Sequence, residues 1–196
     1  MNKKIDRGQA TREHLVAVAT GLFAEHGYDD TSIEAVLRAA DVSRGALYHH
    51  YAGKDALFAA VLDTVYERVE ADGVVATRGI TDPAETLRAA CQAWIRSTGD
   101  PVVRQVLLID APAVLGWQRW READERRTLG SIKALLRRVA ADGRIPVTRV
   151  DFYAHVLLAG VNESAMLVAR AEDPAAAAAQ AAEATGELLD RLLGHN

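Results

Sequence analysis

Residues 31–54, TSIEAVLRAADVSRGALYHHYAGK, decide how the rest of the chain is read. Thr31 or Ser32 can cap a helix, and Glu34, three residues after Thr31, completes a capping box. Ile33, Val36, Leu37 and Ala40 then recur at helical spacing and give one apolar face. Asp41 follows, a residue that tolerates the left-handed backbone of a tight turn. Val42 plugs the gap, and Ser43 caps a second helix from Arg44 to about His50. Two turns do not hold themselves together in water, so Leu47 and Tyr51 must be pinned by neighbours. The sequence thus predicts a helix-turn-helix, whose second helix enters a DNA major groove N-terminus first.

The outward residues of that second helix suit the task. Arg44 lies in the first turn, where a guanidinium reaches guanine edges. Gly45 lets backbones approach. Tyr48, His49 and Lys54 can donate to phosphates, which fix register without reading sequence. Ser43 adds a hydroxyl or an N–H at the positive helix end. The competing reading is a helical hairpin on a globular surface.

The chain from about Thr11 to Leu57 resembles the DNA-binding domain of TetR-family transcriptional regulators. The resemblance is carried by LFAEHGYDDTS (22–32), AADVSRGALYHHY (39–51) and GKDALF (53–58), in that order and spacing. It implies that Ser43, Arg44, Gly45, Tyr48, His49 and Lys54 fall where the family contacts operator DNA, and Thr31 and Ser32 where it often touches phosphate. Three positions depart from the family pattern: Asp41 stands for the usual Gly, Leu37 for Ala, and Tyr51 for Phe.

Composition is that of ordinary globular material, with 49% apolar and 26% charged residues in 196. No apolar run is expected to be long enough to span a membrane, and MNKKIDRGQA is not a signal peptide. The single cysteine, Cys91, excludes an internal disulfide and points to a reducing, cytoplasmic setting. A net charge of −4 is unusual for a DNA binder. Residues 1–54 nevertheless balance, with seven basic and seven acidic side chains. Lys3, Lys4, Arg7 and Arg12 cluster at the front, as a basic arm or as a solvated tail.

The rest of the chain reads as helix after helix. The first runs from about Gln9 to His26, with Leu15, Val18, Ala19, Leu22 and Phe23 inward and Gly27 ending it. A fourth starts near Lys54, and Gly73 weakens its end. Asp82-Pro83, Asp100-Pro101 and Asp173-Pro174 each pair a capping residue with a proline at the first helical position. Pro112 predicts a break. A long helix follows from about Leu115 to Asp142, and Thr148 with Asp151 caps another to about Arg170. The expected fold is all-α, with about nine helices. Residues 1–55 form the DNA-binding domain and 56–196 a larger domain for effector binding and dimerisation.

The last two helices read as an association surface. Between 149 and 170 the stripe is Phe152 or Tyr153, Val156, Leu157, Gly160, Val161, Ser164, Ala165 and Val168. Between 174 and 193 an alanine-rich half leads to Leu188, Leu189, Leu192 and Leu193. An isologous homodimer buries such faces as a four-helix bundle. The middle of the chain holds Trp94, Trp117 and Trp120, with Tyr66, Val103, Leu107 and Leu108. With Arg104, Gln105, His155 and Asn162 they are candidates to line a cavity for a small-molecule effector. The alternative is that the aromatics only fill the core.

Enzyme signatures are missing: no G-x-S-x-G elbow, no dinucleotide glycine fingerprint, no H-E-x-x-H. Gly53-Lys54 lacks the upstream glycine of a phosphate loop. His49 and His50 are adjacent, so they do not pair as metal ligands one turn apart. No cofactor or metal is expected. The sequence therefore predicts a ligand-responsive regulator, a repressor in the first instance, that binds a palindromic double-stranded operator as a dimer. The rivals are an activator of the same fold and a helical small-molecule binder without DNA binding.

Overall fold

The structure, a computed structural model, describes residues 3–193, and the side chains of 8–193. The side chains of Lys3, Lys4 and Arg7, expected in the basic arm, lie outside the described residues. Among the described residues nine α-helices run in the order α1 (Lys3–Asp30), α2 (Ile33–Ala40), α3 (Arg44–His50), α4 (Lys54–Ala76), α5 (Pro83–Ser97), α6 (Ala111–Leu115), α7 (Trp117–Ala141), α8 (Val150–Ala169) and α9 (Pro174–Leu193). A π-helical segment, Val103–Asp110, leads into α6, and a short 3₁₀ turn, Val147–Arg149, leads into α8. No strand occurs among the described residues.

The helices form two compact units. The first comprises residues 1–67 and 101–114, the second 68–100 and 115–196. In the first unit Leu15, Ala19 and Phe23 of α1, Val36 and Ala40 of α2 and Leu47 of α3 are buried, as are Leu57, Phe58 and Val61 of α4. Burial of these side chains stabilises helices that are too short to stand alone, at about 25 cal/mol per Å² of apolar surface removed from water. In the second unit α5, α7, α8 and α9 enclose a core that includes Leu87, Cys91 and Ile95, Leu136 and Val139, Leu158 and Val161, and Leu189 and Leu193. Burial pushes the Cys91 thiol up to about 12, so it packs as a small hydrophobe.

The caps divide into those used and those not. Asp82 caps α5, accepting from the backbone N–H groups of Ala84 and Glu85 at 2.9 Å each. Asp173 caps α9 through Ala176 N–H at 3.0 Å. Thr148 caps nothing: the 3₁₀ turn intervenes, and α8 begins without a side-chain cap. A helical stretch does open at Pro101, after Asp100, which also pairs with Arg68 at 3.2 Å, and it is π-wound from Val103 to Asp110. Pro112 does not break the chain. It sits in the first turn of α6, and the break comes at Gly116, which takes φ 82°. Gly73 is accommodated inside α4, which continues to Ala76. Gly27 ends the regular part of α1 at φ 78°, ψ 170°, and one further helical turn follows to Asp30.

One segment corrects the expectation about apolar runs. Val147–Ala169 is long and apolar enough to cross a membrane, with a mean hydropathy of 1.3. Its inner residues Ala154, Leu158, Val161 and Ala165 are buried within the second unit, and a third of the apolar window is buried in all.

Candidate nucleic-acid interface and effector region

The second helix of the motif, α3, is set by its two ends. Ser43 accepts the Ala46 N–H at 3.3 Å, and Tyr51 closes the far end through its N–H on the Leu47 carbonyl. Leu47 and Tyr51 are buried, and the Tyr51 hydroxyl donates to the Arg12 carbonyl at 3.4 Å. That bond gives the tyrosine a use that phenylalanine would not have. The turn between α2 and α3 is made by Asp41 at φ 51°, ψ 42°, the left-handed conformation the sequence required there. Its N–H and that of Val42 both reach the Leu37 carbonyl.

On the outer side Ser43, Arg44, Gly45, Tyr48 and His49 are all exposed. They form the contiguous polar surface that the spacing predicted. Arg44 is paired with Glu34 of α2, a contact the sequence did not suggest, because Glu34 had been assigned to a capping box. The guanidinium lowers the pKa of Glu34, second to a backbone hydrogen bond. His49 and His50 do not diverge: their rings meet edge to face at 5.0 Å. Among the described residues no group of three or more His, Cys, Asp or Glu side chains could hold a metal ion.

Two residues assigned to phosphate contact part company. Ser32 is exposed and is the actual N-cap of α2, accepting from Ala35 N–H at 3.1 Å. Thr31 is 1% exposed, and its hydroxyl is directed to the Gly27 and Leu22 carbonyls at 2.7 and 3.2 Å. It braces the α1–α2 junction from inside and does not offer its side chain to a phosphate.

Lys54, at the start of α4, belongs to a denser arrangement than the sequence indicated. Its ammonium lies 4.0 Å from the Tyr28 ring centroid and donates to the Asp29 carbonyl at 3.3 Å. The Tyr28 ring packs on Phe23 and Phe58, at 5.8 and 5.0 Å between centroids. Its hydroxyl donates to Asp55. Burial, and then the Asp55 bond, push the phenol up to about 12. The Tyr28 backbone N–H donates to Asp110 Oδ2 at 2.9 Å, and Gln105 Nε2 donates to Asp110 Oδ1 at 2.9 Å. Gln105, expected at an effector cavity, is bonded to Asp110 beside the Gly27–Tyr28 turn of the first unit. Asp110 is buried, and that burial raises its pKa. Asp110 carried no sequence signal, and Tyr28 stood out only as part of the 22–32 stretch, because their partnership spans 82 residues.

The effector candidates divide between the two units. Tyr66, Val103 and Leu107 belong to the first unit and are buried there. Trp94, Trp117, Trp120, His155 and Asn162 belong to the second. Of these, the Trp117 and Trp120 rings meet at a tilt of 38° with centroids 5.0 Å apart. Trp120 is 4% exposed, and its indole N–H, like that of Trp94, has no partner. Asn162 donates to Asp124 at 2.6 Å, one turn beyond Trp120 on α7. Asp124 is buried, and burial raises its pKa. It went unnoticed in the sequence because a single acid on a charged helix looks like solvated surface. His155 is exposed. An open groove of about 490 Å³ runs past Leu115, Trp117, Arg119 and Glu122.

α8 and α9 show a second kind of surface. Phe152, Val156, Leu167 and Leu188 are 76%, 70%, 61% and 63% exposed. Leu167 and Leu188 border an open groove of about 430 Å³ between the two helices, floored by Val168, Ala181 and Thr185. Leu157, Val161, Ala165 and Val168, from the same predicted stripe, are instead buried in the chain's own core.

An exposed polar second helix after a tight turn, on a scaffold of helices alone, defines the class of helix-turn-helix regulators. Residues 15–61 match the model for bacterial regulatory proteins of the tetR family, and residues 84–192 match the tetracyclin repressor-like C-terminal domain. The second match alone covers more than half of the chain, which belongs to the TetR family. A TetR-family transcriptional regulator from Pectobacterium atrosepticum superposes with a TM-score of 0.80, at 29% identity over 96% of this chain and 97% of that one. A TetR regulator from Chloroflexus aurantiacus gives 0.76, at 25% identity over 95% and 97%. An HTH-type transcriptional repressor of Mycobacterium tuberculosis is 39% identical over 66 residues, 34% of this chain and 35% of that protein. The A-factor receptor protein of Streptomyces griseus is 38% identical over 64 residues, 33% of this chain. The chain thus spans only about a quarter to a third of the length of these curated relatives, 23% and 35% respectively.

Proposed function

We propose that this protein is a cytoplasmic, dimeric, effector-responsive repressor. Residues 1–55 read an operator, and residues 56–196 bind effector and partner. The observation that carries this reading is the pairing of two exposed surfaces that one folded copy leaves unused. Ser43, Arg44, Gly45, Tyr48 and His49 suit base edges and phosphates, with Ser32 and Lys54 beside them. The uncovered apolar side chains of α8 and α9 suit a second copy of the same chain. A twofold dimer presents two reading heads to a palindromic site, at a spacing of about one helical turn, roughly 34–36 Å.

The effector is a small molecule taken up in the second unit, where the unpartnered indoles of Trp94 and Trp120 and the Asp124–Asn162 pair offer polar contacts. It acts by favouring a conformation in which the two heads no longer match the operator spacing, and the shift it produces equals its preference for that state. α4, which contributes residues to both units, transmits the change.

The test is selection of fragments of the source genome on the purified protein, followed by footprinting. The expected result is protection of an inverted repeat by a dimer, with affinity falling steeply with salt. Protection of a single half-site by monomer would overturn the reading.

A further inference from the structure

The polar contacts around Tyr28 form an unbroken chain from the π-helical segment to the surface of the reading head. Gln105 orients the Asp110 carboxylate through one oxygen, and the other oxygen takes the Tyr28 N–H. The turn at Gly27 brings the two parts together. A side chain there is disfavoured by the φ of 78°, and a Cβ would also stand 3.2 Å from Gln105 Nε2. Past the turn the Tyr28 ring completes a three-ring cluster with Phe23 and Phe58, which also touch each other, and it carries the Lys54 ammonium 4.0 Å from its centroid. The ammonium spends one donor on the Asp29 carbonyl and keeps two for a phosphate. Thr31 ties the same turn to α1 through the Gly27 carbonyl.

We propose that Asp110 is a positioning residue for DNA binding: it fixes the Gly27–Tyr28 turn so that Tyr28 presents the Lys54 ammonium to the operator backbone. The chain of contacts lies wholly within the first unit, and each link is a hydrogen bond or a ring contact with one geometry. Its outer end is a lysine, and its inner end is a segment drawn from the middle of the sequence. The state of that segment therefore sets how firmly one phosphate is held. Asp110 touches no nucleic acid. The proposal rests on the reading of Lys54 as a phosphate contact.

The experiment follows operator affinity by fluorescence anisotropy, using a fluorescein-labelled duplex recovered in the genomic selection, from about 50 to about 200 mM salt. The variants are K54A, D110A, D110N, Q105A and the K54A/D110A double variant, each checked for helicity and melting temperature. K54A is expected to lower the slope of log affinity against log salt by about 1.8, the loss of one phosphate contact in each of the dimer's two heads. D110A is expected to weaken binding about tenfold and to lower the slope by a similar amount. D110N, which keeps an acceptor for the Tyr28 N–H, restores most of the slope. The double variant loses no more slope than K54A alone. Q105A, which leaves the Tyr28 bond in place, shifts affinity about threefold in the same sense and covers the case of an unfolded D110A. Wild-type slopes in D110A and Q105A beside a lowered slope in K54A would overturn the positioning role alone. A wild-type slope in K54A would remove Lys54 from the phosphate contacts, and with it this proposal.

Discussion

The outer face of α3 and the outer faces of α8 and α9 are both exposed, and they differ in what they leave unsatisfied. α3 shows Arg44, Tyr48 and His49: donors and a cation, which water solvates without strain. α8 and α9 show Phe152, Val156, Leu167 and Leu188, which water solvates at a cost. The first surface is stable without its partner and suits a contact made and broken often. The second favours permanent cover, because contiguous exposed apolar patches mark association surfaces. On the proposed function the contrast separates a reversible ligand, DNA, from a standing one, the second copy.

The hardest test of that contrast is to charge the apolar face. Leu167→Glu with Leu188→Glu is expected to yield monomers in sedimentation equilibrium. Operator affinity should fall about a hundredfold or more, because the second head no longer binds at high effective concentration. A dimer that survives both changes would break the comparison. Arg44→Ala and Tyr48→Ala attack the other face. Each should weaken the operator complex by about 1–3 kcal/mol in anisotropy titrations and leave sedimentation unchanged. Thr31→Val separates support from contact. It should cost about 1 kcal/mol or more in urea unfolding, through the buried carbonyls left without a donor. The salt slope should stay at the wild-type value.

The smallest effect expected is at Asp82, far from both faces in sequence. Asp82→Ala removes the α5 cap and should cost about 1 kcal/mol. Its acid dependence has a definite sign. The Arg144 guanidinium, with the Glu85 N–H behind it, holds the Asp82 carboxyl at about 2, below the usual 3.8. Its folded pKa is depressed, so the contribution is complete above about 4 and is lost as pH falls toward about 2. The stability gap between wild type and variant should close over that interval, as measured by urea titrations at stepped pH.

The fold was legible wherever a local signal sufficed. Ser43, Asp41, Asp82-Pro83 and Asp173-Pro174 act within four residues of themselves, and each does what its chemistry predicts. The exposed face of α3 was legible for the same reason. Signals with two local readings failed: Thr31 competed with Ser32 for one cap and turned inward, which released Glu34 to meet Arg44. Thr148 lost to a 3₁₀ turn, and Pro112 was absorbed by the helical turn after a π-wound stretch. Contacts between distant residues left no trace, as with Asp110 and Tyr28, or Asp124 and Asn162. A buried acid and a solvated one look alike in a sequence, because only packing tells them apart.

The π-winding of Val103–Asp110 makes the chain's length there a functional quantity. Each of its loops closes over one residue more than an α-helical loop, as the Ala111 N–H on the Val106 carbonyl shows. Excising a single residue upstream of Asp110 would let the stretch rewind as ordinary helix, at no loss of hydrogen bonds. The carboxylate would then swing by about 100° around the axis and face away from Tyr28. A codon deletion at this spot is thus expected to leave a well-folded molecule whose reading head has come loose, a phenotype that no substitution on the DNA-facing surface would mimic.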